Sequence, residues 1–215
     1  MQTNSQWLDL SHPISQNTKP FPGDPVLETS VVTSFEGSRY QLKAIRTGMH
    51  LGTHIDFPAH YLQGGKTAEA YPVSRFMGIA ARIDVIPVNK VISTKAISEA
   101  YRVLGEAPRI IILNTGHGKL WGDESYYSDH PCFEADFAAF LMKTDVEIFF
   151  TDLPTVAYCT DADGELHRDL LSRDILIGEN LFIPAELGLW FQFVALPLPL
   201  TAFEASIVRA AAKNI

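Results

Sequence analysis

His50-Leu51-Gly52-Thr53-His54-Ile55-Asp56-Phe57-Pro58-Ala59-His60 contains three of the seven histidines of the chain, together with one aspartate. Gly52 and Pro58 make this segment a poor helix, so we expect an extended chain whose side chains alternate between two faces. The three histidines then share one face with Asp56, and the other face is mainly apolar. Imidazole and carboxylate groups crowded on one face are typical of a site for a first-row divalent metal.

The length of this segment limits how many of its side chains can reach one ion. His50 and Asp56 are roughly 20 Å apart in a fully extended chain, at about 3.3 Å per residue. One ion can therefore bind both ends only where the chain turns, and Gly52 and Pro58 permit such turns. The alternative, that these are ordinary surface or core histidines, fits a lone histidine better than a cluster.

Outside this segment, strands outnumber helices. Short β-branched or alternating runs predict strands, and apolar periodicity predicts helices. The two do not alternate regularly, so a simple doubly wound sheet is not expected. We predict a strand-rich, mixed α/β fold with a mixed or barrel-like β-sheet and a few helices packed outside. The predicted strands are 28–34, 40–46, 79–86, 109–113, 146–151, 175–177, 193–198 and 207–211, and the predicted helices are 94–104, 134–143 and 166–173.

Length and composition favour one domain over residues 1–215, because no linker, repeat or charge run divides the chain. A chain of this size buries enough surface to fold without a structural metal, so a metal site would be functional. The 17 basic against 25 acidic residues give a formal charge of −8. This balance disfavours nucleic acid and anionic membranes as partners and leaves a small molecule or a protein.

Three further features bear on location. Residues 1–6 lack the basic and apolar runs of a secretory signal, so we expect a cytoplasmic protein. In that compartment Cys132 and Cys159 are expected to be free thiols. The longest apolar stretch, 187–203, contains two prolines and is short for a membrane span, so we interpret it as buried strand.

A second group of candidate ligands lies far downstream. His167 falls early in the predicted helix 166–173, and Glu179 follows the predicted strand 175–177. Alone, a histidine in a helix or a glutamate at the end of a strand is weak evidence for a metal site. Together with the ligands of the first segment, they become candidate ligands. The loop with His117 and Lys119 and the aromatic residues Trp7 and Phe21 are candidate substrate contacts, each of which also has an ordinary structural interpretation.

With these residues in place, the sequence resembles the cyclase-type metal-dependent hydrolases, whose best-known members are the bacterial kynurenine formamidases. The resemblance rests on the motif His-x-Gly-Thr-His-x-Asp-x-Pro-x-His, which is present without a mismatch from His50 to His60. It extends over nearly the whole chain, with further matches at 7–14, 21–24, 177–181, 196–198 and 208–210. The chain departs from the formamidases at Phe21, where they usually carry tryptophan, and at 203–207.

The resemblance implies a cyclase-type swivelling β/α fold and two divalent metal ions per chain, with zinc preferred and manganese as the alternative. It implies that His50, His54 and Asp56 bind one ion, and that Asp56 bridges to a second ion. His167 and Glu179 hold that second ion, and His60 is the acid–base group. Phe21 is the implied substrate contact, and a homodimer or higher homo-oligomer is the implied assembly.

The activity implied is hydrolysis of a carbon–nitrogen amide bond, first of all in an aryl formamide such as N-formylkynurenine, in tryptophan catabolism. Hydrolysis of a cyclic amide or imide such as an isatin-like lactam, or a cyclase or dehydratase activity, is the alternative within the family. A competing hypothesis outside this family is a mononuclear Fe(II) oxygenase, whose two-histidine, one-carboxylate triad would be His54, Asp56 and either His117 or His167. A non-catalytic metal-buffering site would instead have a closed coordination sphere.

Overall fold

Seven strands of the chain close into a mixed β-barrel, in a computed structural model that describes residues 6–161 and 163–215. Within these described residues, four α-helices and four short 3-10 helices lie between the strands. The strands are β1 (Leu8–Asp9), β2 (Glu28–Thr33), β3 (Leu42–Arg46), β4 (His54–Asp56), β5 (Met77–Asp84), β6 (Val91–Ile92), β7 (Ile110–Asn114), β8 (Cys132–Phe133), β9 (Ile148–Thr151), β10 (Leu176–Glu179), β11 (Trp190–Pro197) and β12 (Ala205–Asn214). The α-helices are α1 (Thr94–Val103), α2 (Ser125–Ser128), α3 (Phe137–Leu141) and α4 (Glu165–Ser172).

The order of strands around the barrel is β4, β10, β9, β7, β5, β11 and β12, with β12 pairing back to β4. Strands β5, β7, β9 and β10 are parallel to their neighbours in that run. The pairs that involve β4, β11 and β12 are antiparallel. Strand β1 adds to the edge of β12, while β2 with β3 and β6 with β8 form separate two-stranded pairs. The predicted mixed, barrel-like sheet is confirmed.

The parallel strands β7 and β9 carry apolar runs because both of their faces are buried. Along β7, Ile110 and Ile112 pack in a cluster with residues of β11 and β12. Ile111 and Leu113 belong to a second cluster that includes apolar side chains of α1, α3 and α4. One face of these strands therefore fills the barrel, and the other face anchors the helices.

The eight predicted strands are all present, with ends that shift by a few residues. The three predicted helices are present as α1, α3 and α4, and α3 is shorter than expected. The stretch 187–203 contains β11, so the predicted strand is present, but only alternate residues of it are buried and Leu196 is 44% exposed. Strands β6 and β8 and helix α2 were not predicted, because elements of two to four residues leave no periodic pattern. Within the described residues, none of the helices combines the length and apolarity needed to cross a bilayer.

The prediction of two free thiols is wrong, because Cys132 and Cys159 form a disulfide with Cα atoms 4.9 Å apart. Strand β8 carries Cys132, and an isolated bridge pairs the next residue, Phe133, with Tyr158. This pairing places Cys159 beside Cys132 across 27 positions of sequence. Tertiary pairing of this kind leaves no local signal in the sequence.

Candidate metal centre

Strand β4 supplies the middle of the site. His54 and Asp56 are two residues apart, so both side chains leave the same face of the strand. The antiparallel pairing of β4 with β10 places Glu179 directly opposite His54. His54, Asp56 and Glu179 are 1%, 0% and 3% exposed, respectively. Sheet register thus gathers an imidazole and two carboxylates in the interior.

The chain turns at both ends of β4. Gly52 has a φ of +67°, and its carbonyl accepts a 2.8 Å hydrogen bond from Nδ1 of His54. After the strand, Pro58 begins a 3-10 helix that ends at His60. The predicted extended conformation therefore holds only for 54–56. The two turns, at the glycine and the proline that permit them, bring the rings of His50 and His60 to 4.2 Å.

Helix α4 supplies His167, which is 3% exposed. The carboxylate of Asp161 accepts hydrogen bonds from the amides of Glu165 and Leu166, at 2.9 and 3.1 Å, and so satisfies donors in the first turn. The helix begins after Gly164, whose φ is +74°. A side chain there would collide with Tyr61, since an added Cβ would lie 2.1 Å from its ring.

Asp56 is the shared carboxylate of the site. Its Oδ1 lies 3.0 Å from Nδ1 of His50 and 3.3 Å from Nε2 of His54. Its Oδ2 lies 3.7 Å from Nε2 of His167. One oxygen of this carboxylate therefore faces His50 and His54, and the other faces His167.

Glu179 is the second carboxylate of the site and contacts imidazoles on both sides of Asp56. Its Oε1 lies 3.3 Å from Nε2 of His167 and accepts a 2.9 Å hydrogen bond from the amide of Val156. Its Oε2 lies 3.4 Å from Nε2 of His54. The structure thus brings all six predicted residues of the centre together, from three elements and the two turns that flank β4.

The negative charges of the buried carboxylates favour positive charge on the groups beside them. Burial lowers the pKa of His54, but the negative charges of Asp56 and Glu179, at 3.3 and 3.4 Å from its Nε2, outweigh it and raise that pKa to about 10. Burial likewise lowers the pKa of His167, and Glu179 and Asp56 raise it above its usual value. Burial tends to raise the pKa of each carboxyl, and the neighbouring imidazoles hold both pKa values below their usual range.

Several polar atoms of the site have no hydrogen-bond partner although they are buried. Among the described residues they are Nε2 of His54, Nδ1 of His167 and both carboxylate oxygens of Asp56. Buried polar atoms without partners are costly, and neutral imidazole and carboxylate are the donors that divalent metals prefer. The residues therefore fit a metal cofactor. Ligand atoms of His50, Asp56 and His60 lie within 4.8 Å of one another, as do those of His54, Asp56 and Glu179.

A cavity of about 400 Å³ opens over these ligands. Phe21, which the resemblance implies as a substrate contact, lies in its wall, and its ring packs edge-on against Tyr127 at 6.1 Å. Tyr61 stacks on His167 with ring centroids 4.7 Å apart. The wall consists of Phe21, Pro22, Gly23, Asp24, His50, His54, His60, Tyr61, Pro154, Thr155, His167 and Glu179.

Three other candidates from the sequence lie outside this wall. Nε2 of His117 bonds to the carbonyl of Tyr126 at 2.8 Å, and its side chain does not line the cavity. Lys119 lines a different groove, on the outside of β11 and β12. Trp7 is 49% exposed and does not contribute to the cavity.

Sequence reasoning gave no role to Tyr61, Asp24 or Glu204. Tyr61 directly follows His60, and that adjacency was the available signal. Asp24 ends the Phe-Pro-Gly-Asp turn, and a turn sequence alone does not indicate a position in a cavity wall. Oε1 of Glu204 lies 3.5 Å from Nε2 of His50, a contact made across the barrel closure that no local pattern indicates.

Comparison with protein families matches residues 8–158 to the model described as putative cyclase. Two curated relatives are the kynurenine formamidases of Bacillus cereus and Bacillus mycoides. Each is 30% identical over 212 residues, which cover 98% of this chain and 99% of the relative.

Solved structures share the fold. A potential metal-dependent hydrolase with cyclase activity superposes with a TM-score of 0.80 at 21% identity, over 98% of both chains. An isatin hydrolase bound to the product analogue thioisatinate superposes with a TM-score of 0.82 at 18% identity, over 96% of this chain and 91% of that one.

Proposed function

The chain belongs to the putative cyclase family, and we propose from that premise that it is a metal-dependent hydrolase that cleaves the carbon–nitrogen bond of an aryl formamide. N-formylkynurenine is the first substrate to test, because the full-length curated relatives are kynurenine formamidases. The observation that carries the proposal is the shared carboxylate of Asp56, whose two oxygens face different imidazoles beneath a cavity.

Two divalent ions are the proposed cofactor, with zinc preferred and manganese as the alternative. His50 and His54 would hold one ion, His167 and Glu179 the other, and Asp56 would bridge them. Bound ions of this kind polarise a substrate carbonyl and lower the pKa of water toward neutrality.

His60 is the proposed acid–base group. Burial lowers the pKa of His60, which favours the neutral imidazole that can accept a proton. In the proposed reaction the oxygen of water bonds to the formyl carbon, and His60 takes the proton that this water loses. The carbon–nitrogen bond then breaks and His60 returns the proton to the leaving nitrogen, giving an aryl amine and formic acid, which releases its proton to solvent as formate.

Aromatic side chains position the substrate in this proposal. Phe21 lies in the cavity wall and is held edge-on by Tyr127, so it offers a fixed surface to an aryl ring. Tyr61 covers His167 by stacking and so keeps that imidazole in place.

The proposed assembly is a homodimer or higher homo-oligomer. The β2–β3 hairpin is exposed on both strands, and Val31, Phe35 and Ile45 are 61%, 71% and 71% exposed. Isolated two-stranded hairpins are marginally stable, and exposed apolar surface of this kind is typical of interfaces. The mass in solution by light scattering tests this proposal: an Ile45→Glu variant is expected to dissociate, and a wild-type monomer would contradict it.

A small molecule is the proposed partner, and nucleic acid and membranes are not, since the formal charge is −8.

The cytoplasm is the proposed location, and the Cys132–Cys159 disulfide argues against it, because disulfides are rare in cytosolic proteins. Recovery of the native protein with the cytoplasmic fraction of its cells would support this location. Recovery outside that fraction would contradict it.

The activity is tested by removing metal with a chelator and reloading the protein with zinc or with manganese. Steady-state hydrolysis of N-formyl-L-kynurenine is then followed by ultraviolet absorbance, with isatin as the comparison substrate. We expect metal-dependent turnover of the formamide in preference to isatin. Preference for isatin would favour the cyclic amide alternative, and oxygen-dependent activity with one iron per chain would favour the oxygenase.

A further inference from the structure

The wall of the metal-site cavity has an unbalanced charge distribution. No lysine or arginine lines it in the part of the chain that the structure describes. Its two carboxylates are those of Asp24 and Glu179. Glu179 is 3% exposed and faces His54 and His167. Asp24 is half-buried and forms no ion pair with another described residue. Its charge is therefore available to a ligand.

The backbone around Asp24 is held in place from both sides. The amide of Asp24 donates a 3.0 Å hydrogen bond to the carbonyl of Phe21, which closes the turn. Pro25 packs on Gly48, since an added Cβ there would lie 3.4 Å from its Cδ. Gly48 precedes His50 by two residues, so this contact ties the turn to the metal centre. A fixed backbone position is what recognition of a substrate group requires.

We propose that Asp24 is a specificity-determining residue that binds a protonated amine on the leaving group of the substrate. The inference rests on the proposed formamide hydrolysis and deepens it, because it selects aryl formamides that carry an aliphatic ammonium. An ammonium gives Asp24 a charge-assisted hydrogen bond, whereas a neutral substrate leaves the carboxylate without a partner.

An anionic head group finds no comparable partner in the wall. The basic side chain of Arg168 lies over the ring of Tyr61 at 5.5 Å, outside the cavity lining. The carboxylate of an amino acid substrate is therefore left to solvent or to Arg168, while its ammonium faces Asp24. A lactam such as isatin has no ammonium, so the same residue separates the two substrate classes.

Two substrates that differ only in the amine test this inference. They are N-formyl-L-kynurenine and its analogue with hydrogen in place of the α-amino group. For the metal-loaded wild type we expect kcat/KM to be about 10- to 100-fold higher with the amine, and Asp24→Asn to remove most of that preference, mainly through KM. Asp163→Asn is the matched control, because Asp163 is exposed and does not line the cavity. An unchanged preference in Asp24→Asn overturns the inference, as does an equal loss on both substrates.

A binding measurement separates this inference from the proposed function. L-kynurenine and its des-amino analogue are titrated calorimetrically into the metal-loaded wild type, Asp24→Asn and Asp163→Asn. We expect the wild type and Asp163→Asn to bind L-kynurenine more tightly, and Asp24→Asn to bind both compounds alike. Equal binding by the wild type overturns the role of Asp24 even if formamides are hydrolysed. Failure of the wild type to hydrolyse either formamide counts against the proposed function, while the binding difference still decides the role of Asp24.

Discussion

Asp56 and Glu179 share two imidazoles between them. Nε2 of His54 lies 3.3 Å from Asp56 and 3.4 Å from Glu179, and Nε2 of His167 lies 3.7 Å from Asp56 and 3.3 Å from Glu179. Two carboxylates this close and this deeply buried repel each other unless positive charge lies between them. The register of β4 against β10 enforces that proximity, so the fold itself creates the demand for a cation.

Replacing His60 separates acid–base chemistry from metal binding. We expect His60→Ala to lower turnover by about 10²- to 10⁴-fold and to leave the metal content unchanged, because a general acid–base group contributes a factor of that size. Turnover and metal content by mass spectrometry are measured on the same preparation. Loss of metal in the variant would make His60 a ligand, which its position within 4.8 Å of His50 and Asp56 also permits.

Gly164 and Gly105 form a matched pair of substitutions. Both have positive φ, at +74° and +73°, but an added Cβ meets Tyr61 at 2.1 Å in the first and nothing within 4 Å in the second. Each change to alanine is expected to lower the free energy of unfolding by about 1–3 kcal/mol through backbone strain. Only Gly164→Ala should also lower kcat/KM, because it displaces the ring that covers His167. Equal activities of the two variants would show that Tyr61 does not position His167.

The disulfide should contribute to stability rather than to chemistry. Replacing both Cys132 and Cys159 with serine is expected to lower the free energy of unfolding by about 2–4 kcal/mol, because the unfolded chain gains freedom. Urea unfolding of the wild type and the double variant measures this difference, and metal content serves as the control. Detection of two reactive thiols in the folded, unreduced wild type would contradict the pairing.

His12 should make stability depend on pH. Burial lowers its pKa to about 4 from the ordinary value of 6.5, and its ring stacks on Trp121 at 4.2 Å. His12 in the unfolded chain therefore binds a proton below pH 6.5, whereas His12 in the folded chain binds one only near pH 4. The contribution of neutral His12 to the free energy of unfolding is fully present above pH 6.5 and is lost as the pH falls toward 4.

The difference in unfolding free energy between the wild type and His12→Gln isolates this effect from acid release of metal. Between pH 7 and pH 4.5 we expect the wild type to lose more unfolding free energy than the variant, as measured by urea unfolding. A difference that does not change over this range would show that His12 titrates alike in both states.

The sequence predicted those parts of the molecule that local patterns encode. The apolar runs of β7 and β9 were recognisable because both faces of these strands are buried. The spacing of His54 and Asp56 indicated ligands on one face of a strand. Gly52 and Pro58 marked where the chain could turn. The sequence suggested an extended segment over residues 50–60, whereas the extended part is limited to 54–56.

Other features depend on pairing between distant segments and left no local signal. The position of Glu179 opposite His54 follows from the register of β4 with β10, which sequence alone does not specify. The disulfide depends on the same kind of long-range pairing, at β8 and Tyr158. Tyr61 and Asp24 were visible in the sequence, but only the cavity shows that they share a wall with the ligands.

The most direct test of the central claim is a titration of metal-free protein with zinc, in which turnover of N-formyl-L-kynurenine and bound metal are measured together. The shared carboxylate of Asp56 predicts that turnover rises until two ions are bound per chain. In Asp56→Asn both the second ion and the activity should be lost. Full turnover without metal, or an Asp56→Asn variant that binds two ions and remains active, would contradict the account.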